Sequence, residues 1–310
     1  MDRQDLLKLL TSIYKNYPKN KILKYFKHLP FYFLLFIHIY FLDKLMKSID
    51  YNFWIKLKNI FTFKVKKRLF FDEDFWFTIP PYTDLFFYKA YIHTPGEYKL
   101  TKFIIRNFFD KKIIFFDVGA NFGYYSVLLS KISPESSIFA FEPNPYALEI
   151  LNLNKRKNIN IIPKAVGSHS GKIKFEKGHY MNSLSTNVFL GNKLNEKDII
   201  EVDIISLDDF CRETKVVPNF IKIDVEKIEL DVLKGGEDII ANYGPLISLE
   251  FYYDEKINYY IECFNFLKKY NYRAYFINLD GDLIFIEDIK DLINLAKKHQ
   301  LLFDNLVFSK

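Results

Sequence analysis

Three acidic residues close short apolar runs in this chain, where carboxylates can do chemistry. Asp117 ends Ile113-Ile-Phe-Phe-Asp117, Glu142 follows Ser137-Ile-Phe-Ala-Phe141, and Asp224 ends Ile221-Lys-Ile-Asp224. Each run reads as a buried parallel strand, and ligands of open α/β sheets bind beyond the carboxyl ends of such strands. The three carboxylates are therefore expected in one site. Glu142 lies 25 residues after Asp117, at the tip of the second strand, where it can accept hydrogen bonds from a ribose diol. Asp224 and Glu226 are two residues apart, so a continuing strand turns both to one face. Such a pair can remove the proton of a hydroxyl, because neighbouring carboxylates raise one another's pKa. The same oxygens could hold a divalent cation. Glu250, in Leu246–Phe251, is a further candidate base. Lys222 shares the expected face of Asp224 and reads as an ion-pair partner. No histidine cluster supports a transition-metal site, and His179 stands alone in a polar segment.

Between the first run and Tyr124–Ser130 lies Gly119-Ala-Asn-Phe-Gly123. This reads as a strand, a tight turn and a helix start. The glycines are expected to let the backbone approach a ligand, and the N–H groups of the helix start to favour an electron-rich group. The Gly-x-Gly-x-x-Gly spacing of hydride-transferring dinucleotide enzymes is absent.

The elements that would position these residues follow an α/β rhythm. Strands are predicted at 113–117, 137–141, 159–162, 221–224 and 246–251, with helices at 124–132 and 145–156. Alternation of this kind gives a parallel sheet with right-handed crossovers. A helix at 96–106, with Leu100, Phe103 and Ile104 at helical spacing, leads into the first strand. Residues 166–206 interrupt the rhythm with antiparallel strands at 172–176 and 199–205. The polar segment His179–Gly191 between them reads either as part of an acceptor site or as a surface loop. A helix at 256–269, strands at 272–278 and 283–286 around Asp280-Gly281, a helix at 288–299 and a strand at 305–308 complete the chain.

Charge divides the sequence. Residues 1–110 hold 19 Lys and Arg against 10 Asp and Glu, whereas the whole 310-residue chain is only +6. The first ninety residues thus form a basic, aromatic extension, predicted helical to residue 49 and β-rich from 50 to 79. The uncharged run Leu29–Leu42, behind a cluster of lysines, is too short to span a membrane. Residues 15–45 read equally well as a membrane-surface helix or as one packed inside the protein. No nucleic-acid recognition module is visible. Two cysteines, Cys211 and Cys263, have no metal or redox spacing and read as free thiols of a cytoplasmic protein, with attachment to the inner face of the membrane as the variant. The oligomeric state is left open.

Four motifs in order, Asp117-Val-Gly-Ala-Asn-Phe-Gly123, Phe141-Glu-Pro-Asn-Pro145, Ile205-Ser-Leu-Asp-Asp209 and Ile221-Lys-Ile-Asp-Val-Glu226, together resemble those of FkbM-type S-adenosylmethionine-dependent methyltransferases. The resemblance runs from about Tyr91 to the C-terminus. It implies a class I methyltransferase (Rossmann-like) α/β fold over 91–310, with a seven-stranded mixed sheet between helices, and residues 1–90 outside it. It also implies S-adenosyl-L-methionine as cofactor and O-methylation as the chemistry. On that reading Asp117, Gly119, Ala120, Asn121 and Gly123 bind the methionine end and Glu142 the ribose, with Asn144 also binding the cofactor. Ala165 lies near the adenine by analogy with the family. Asp224 and Glu226 are the catalytic candidates, and no metal is assigned. The acceptor is expected to be a hydroxyl of a sugar, glycan or glycolipid. A small-molecule or polyketide hydroxyl, or a non-catalytic module serving a partner enzyme, are the alternatives. One departure stands out: Lys227 occupies the position where the family has glycine after Ile-Asp-Val-Glu.

Overall fold

The computed structural model describes residues 2–5, 7, 8, 11, 65–68, 76–79, 95–176, 199–225, 228–253, 257–299 and 303–310. The expectations for residues 15–45, His179–Gly191, Glu226 and Lys227 fall outside these residues.

From the extension, β1 (Val65–Arg68) and β2 (Trp76–Ile79) form an antiparallel pair. Helix α1 (Pro95–Phe108) then leads into β3 (Ile114–Val118). Its apolar stripe is the one the spacing predicts, with Leu100, Phe103 and Ile104 all at most 1% exposed. Next come α2 (Tyr124–Ile132), β4 (Ser137–Phe141), α3 (Pro145–Asn154) and β5 (Ile159–Ile162). A three-stranded sheet follows, built from β6 (Ala165–Val166), β7 (Gly171–Glu176) and β8 (Ile199–Ile205), with β8 in the middle. Helix α4 (Leu207–Thr214), capped by the Ser206 hydroxyl accepting the Asp209 N–H, returns the chain to β9 (Phe220–Ile223). Helices α5 (Glu229–Lys234) and α6 (Glu237–Asn242), strand β10 (Leu246–Tyr252) and helix α7 (Ile257–Lys269) follow. The hairpin β11 (Arg273–Ile277) and β12 (Leu283–Ile286), helix α8 (Ile289–His299) and β13 (Phe303–Ser309) close the described chain.

The main sheet has the order β12-β11-β13-β10-β9-β3-β4-β5. Strands β10, β9, β3, β4 and β5 run parallel, whereas β13, β11 and β12 are antiparallel additions. This is the expected mixed α/β sheet with one more strand than seven. The extra one is β12, the return of the predicted hairpin at the sheet edge.

Alternation along the strands divides two apolar layers. Phe115 and Phe220 point into the layer with α1 and α2, their rings stacked at 5.0 Å. Phe116, Val118, Ile221 and Ile223 point into the layer with α4, α5 and α7. Each such side chain taken from water contributes roughly 1.5–3 kcal/mol. The period of two then places Asp117 and Lys222 on the α1/α2 side, register partners of one another across β3 and β9. The order of the sheet reverses between these two strands, the place where α/β sheets open a ligand crevice. Among the described residues no helix is long and apolar enough to cross a membrane.

Candidate functional site

The turn after β3 is built on left-handed backbone. Gly119 has φ 77°, Asn121 φ 50° and Gly123 φ 86°. A Cβ on Gly119 would lie 1.9 Å from the Asp224 carbonyl oxygen, and one on Gly123 would lie 2.4 Å from Leu151 Cδ1. Both glycines thus let protein atoms pack closely against the turn. Several N–H groups nearby also have partners within the protein. Those of Gly119 and Ala120 go to the Phe141 carbonyl at 3.1 and 2.9 Å, and that of Gly123 goes to the Ala120 carbonyl at 2.8 Å. The Asn121 N–H is held by Glu142 Oε2 at 2.8 Å and the Ser126 N–H by Asp117 Oδ2 at 3.0 Å. Two of these donors, one in the turn and one in the first turn of α2, hold carboxylates in place.

Glu142, directly after β4, joins two elements. Its second oxygen accepts the Asn144 N–H at 2.8 Å, while Asn144 caps α3 by accepting the Tyr146 N–H at 3.0 Å. It is buried rather than a solvated loop acid. Burial pushes its carboxyl up to about 7, against the lowering effect of the two N–H donors. A carboxylate has about four acceptor positions, so two remain for other donors.

Asp117 is 1% exposed. Oδ2 takes the Ser126 hydroxyl at 2.6 Å as well as its N–H. Oδ1 is buried and without a hydrogen-bond partner, as is Asn121 Oδ1. Burial raises the Asp117 pKa, and the charge of Lys222 works against that rise.

Asp224 follows β9, its N–H bonded to the Val118 carbonyl at 3.1 Å. Lys222 donates to Asp224 Oδ2 at 2.8 Å, the ion pair anticipated from their spacing. Burial disfavours the Lys222 charge, yet Asp224, Asp117 and Glu97 outweigh it and hold the lysine above its ordinary range. Ala165 lies apart from this group, in the small sheet opposite Ile204. Its strand follows a turn in which Lys164 N–H bonds the Ile162 carbonyl, and that carbonyl also accepts the Glu142 N–H. Glu250 is buried on β10 opposite Asn305.

Two members of the cluster were not singled out by sequence. Glu97, in the first turn of α1, is buried and accepts the Tyr125 hydroxyl. Burial lifts its carboxyl to about 7, with Lys222 opposing. Tyr125 also lies beneath the Lys222 ammonium, 5.1 Å from ring centroid to Nζ. An acid in the first turn of a helix is ordinary in sequence, since it complements the helix dipole. Only the fold shows that this one is turned inward.

The family model described as Methyltransferase FkbM domain matches residues 117–274. The chain is 32% identical to the hexuronic acid methyltransferase AglP of Haloferax volcanii over 138 residues, 43% of this chain and 54% of that protein. It is 26% identical to methyltransferase 1 of Beauveria bassiana, covering 39% of this chain and 57% of that protein. It thus spans little more than half the length of these curated relatives. A crystal structure of an FkbM methyltransferase from Methylobacillus flagellatus aligns with a TM-score of 0.42 at 16% identity, over 64% of this chain and 44% of that one. With a match that begins at Asp117, takes in the glycine turn, Glu142 and Asp224, and covers half of its length, this chain belongs to the FkbM methyltransferase family.

Proposed function

We propose that this methyltransferase moves the methyl group of S-adenosylmethionine to a hydroxyl oxygen of a saccharide. The observation that carries the donor assignment is the pair of buried acceptors, Asp117 Oδ1 and Asn121 Oδ1, that lack hydrogen-bond donors at the turn after β3. A buried acceptor left unpaired costs about 1–3 kcal/mol. A ligand rich in N–H and O–H donors and carrying positive charge relieves that cost, whereas a diphosphate would meet carboxylates. Asp117 and Asn121 then hold the amino-acid end of the donor, and Glu142 offers its remaining acceptor positions to the ribose hydroxyls. Glu142, Asn144 and Ala165 line the path toward the adenine on this reading.

The donor supplies a methyl already activated on a sulfonium. The chain's task is to orient an acceptor oxygen, keep water out and take the acceptor's proton as its oxygen becomes bonded to carbon. Asp224, fixed by Lys222 at the switch point of the sheet, is the proposed proton acceptor. Glu226, outside the described residues, is proposed as the second candidate for that role. The saccharide assignment draws on the Haloferax volcanii relative, named for hexuronic acid methylation.

The test is calorimetric titration with S-adenosylmethionine and S-adenosylhomocysteine, with Glu142→Ala as control, followed by a radiolabel transfer screen on sugars that begins with uronic acids. Micromolar binding that is lost in the variant supports the site. No binding of either compound overturns it. Binding without transfer to any sugar overturns the acceptor class.

A further inference from the structure

We propose that Glu97 is a positioning residue for the proposed proton acceptor, fixing the carboxylate of Asp224 through Tyr125 and Lys222. This rests on the donor assignment above. Glu97 belongs to α1, ahead of residues 117–274, where the family match lies. The connection is continuous. The Tyr125 hydroxyl donates to Glu97 Oε2. The face of the Tyr125 ring lies under Lys222 Nζ, 5.1 Å away. Lys222 in turn donates to Asp224 Oδ2 at 2.8 Å.

A buried carboxylate is costly unless other groups need it. Here Glu97 does two things that an apolar residue could not. It fixes the angle of the Tyr125 ring about its hydroxyl, and it shares the counter-charge of Lys222 with Asp224 and Asp117. With Glu97 neutral, the lysine relies on Asp224 and Asp117 alone, and the Asp224 carboxylate is drawn toward it. The groups that face Glu97 are Lys222 and Asp224 from β9, Tyr124 and Tyr125 from α2, and Asn305 from β13.

Near neutral pH both Glu97 and Glu142 are close to half protonated. A cationic ligand nearby lowers the pKa of each, so its binding expels protons. S-adenosylhomocysteine, without the sulfonium charge, releases fewer.

The experiment titrates the full chain with S-adenosylmethionine at pH 7 in buffers of different ionisation enthalpy, which counts protons directly. Glu97→Gln is expected to bind within about threefold of the parent while proton release falls. Tyr125→Phe keeps the charge and removes the hydroxyl link, so its proton release should stay at the parent value while transfer to an accepted sugar at saturating donor falls about three- to tenfold. Retained binding in Glu97→Gln shows that the variant is folded. Parent-like proton release by Glu97→Gln, or parent-like transfer by Tyr125→Phe at saturating donor, overturns the inference and leaves the donor site standing. A parent chain that binds neither compound overturns the donor site, and this inference with it.

Discussion

Gly119 is packed against the carbonyl of Asp224, so closely that an added Cβ would sit 1.9 Å from its oxygen. The contact joins the turn after β3 to the end of β9, and so fixes the spacing between Asp117 on one strand and Asp224 beyond the other. Any side chain at 119 must push these two carboxylates apart or abandon the φ of 77°.

Gly119→Ala should therefore destabilise the fold by about 2–4 kcal/mol, the sum of left-handed strain and a backbone clash. Gly171→Ala is the matched control. It has φ 152° but nothing within 4 Å of the added Cβ, so strain alone should cost about 1 kcal/mol. Urea denaturation of both variants checks the difference. Equal losses would mean that the Asp224 contact does not constrain the turn.

Much of this arrangement was legible in the sequence because strand ends and turns leave local signals. The run Ile113–Asp117, the glycine pair and the acids at 117, 142 and 224 marked the carboxyl ends of three parallel strands. The tertiary partners of this turn were not legible because they are distant in sequence: Asp224 for Gly119, Leu151 for Gly123, Phe141 for the N–H groups of Gly119 and Ala120. Glu97 escaped notice for the same reason. Its burial is decided by Tyr125 and β9 rather than by its own helix. Lys222 was legible as a partner of Asp224 because two residues on one strand share a face.

Stability should fall as pH rises toward neutrality in the ligand-free protein. Glu97 and Glu142 have an ordinary value of 4.5 and are pushed up to about 7 by burial. The folded chain therefore holds protons more tightly than the unfolded chain between those values. The contribution is complete below about pH 4.5 and is lost as pH climbs through about 7, on the order of 3 kcal/mol for each carboxyl. Thermal unfolding between about pH 5 and 8 should show the decline, and Glu142→Gln should remove about half of it. A flat profile in the parent would contradict burial of both groups as acids.

Helix α1 is tied to the last strand by charge. Lys99 and Asp304 form an ion pair, with side chains 3% and 0% exposed. The Lys99 ammonium also lies 4.0 Å from the Phe276 ring centroid. Removing one partner leaves a buried charge alone, so Asp304→Leu should cost about 3–5 kcal/mol. Lys99→Met combined with Asp304→Leu should recover most of that loss, since a matched apolar pair requires no desolvation of charge. Chemical denaturation of the two single variants and the double variant forms the cycle. A double variant as unstable as the sum of the singles would show that the pair is not coupled.

Asp224→Asn separates holding the donor from moving the acceptor's proton. The amide keeps the size and one acceptor oxygen for Lys222, whose charge still has Asp117 and Glu97 nearby. S-adenosylmethionine affinity should therefore stay within about fivefold of the parent, while transfer to an accepted sugar falls roughly 10²–10⁴-fold, the usual contribution of a positioned base. Asp117→Asn should show the opposite division. Its Oδ2 is occupied by Ser126 and its Oδ1 has no partner within the protein, so its loss falls on donor affinity. If Asp224→Asn instead weakens the donor as much as Asp117→Asn does, and transfer at saturating donor is unchanged, then Asp224 belongs to the binding surface. The acceptor's proton would have to leave by another group, with Glu226 and Glu250 the next to replace.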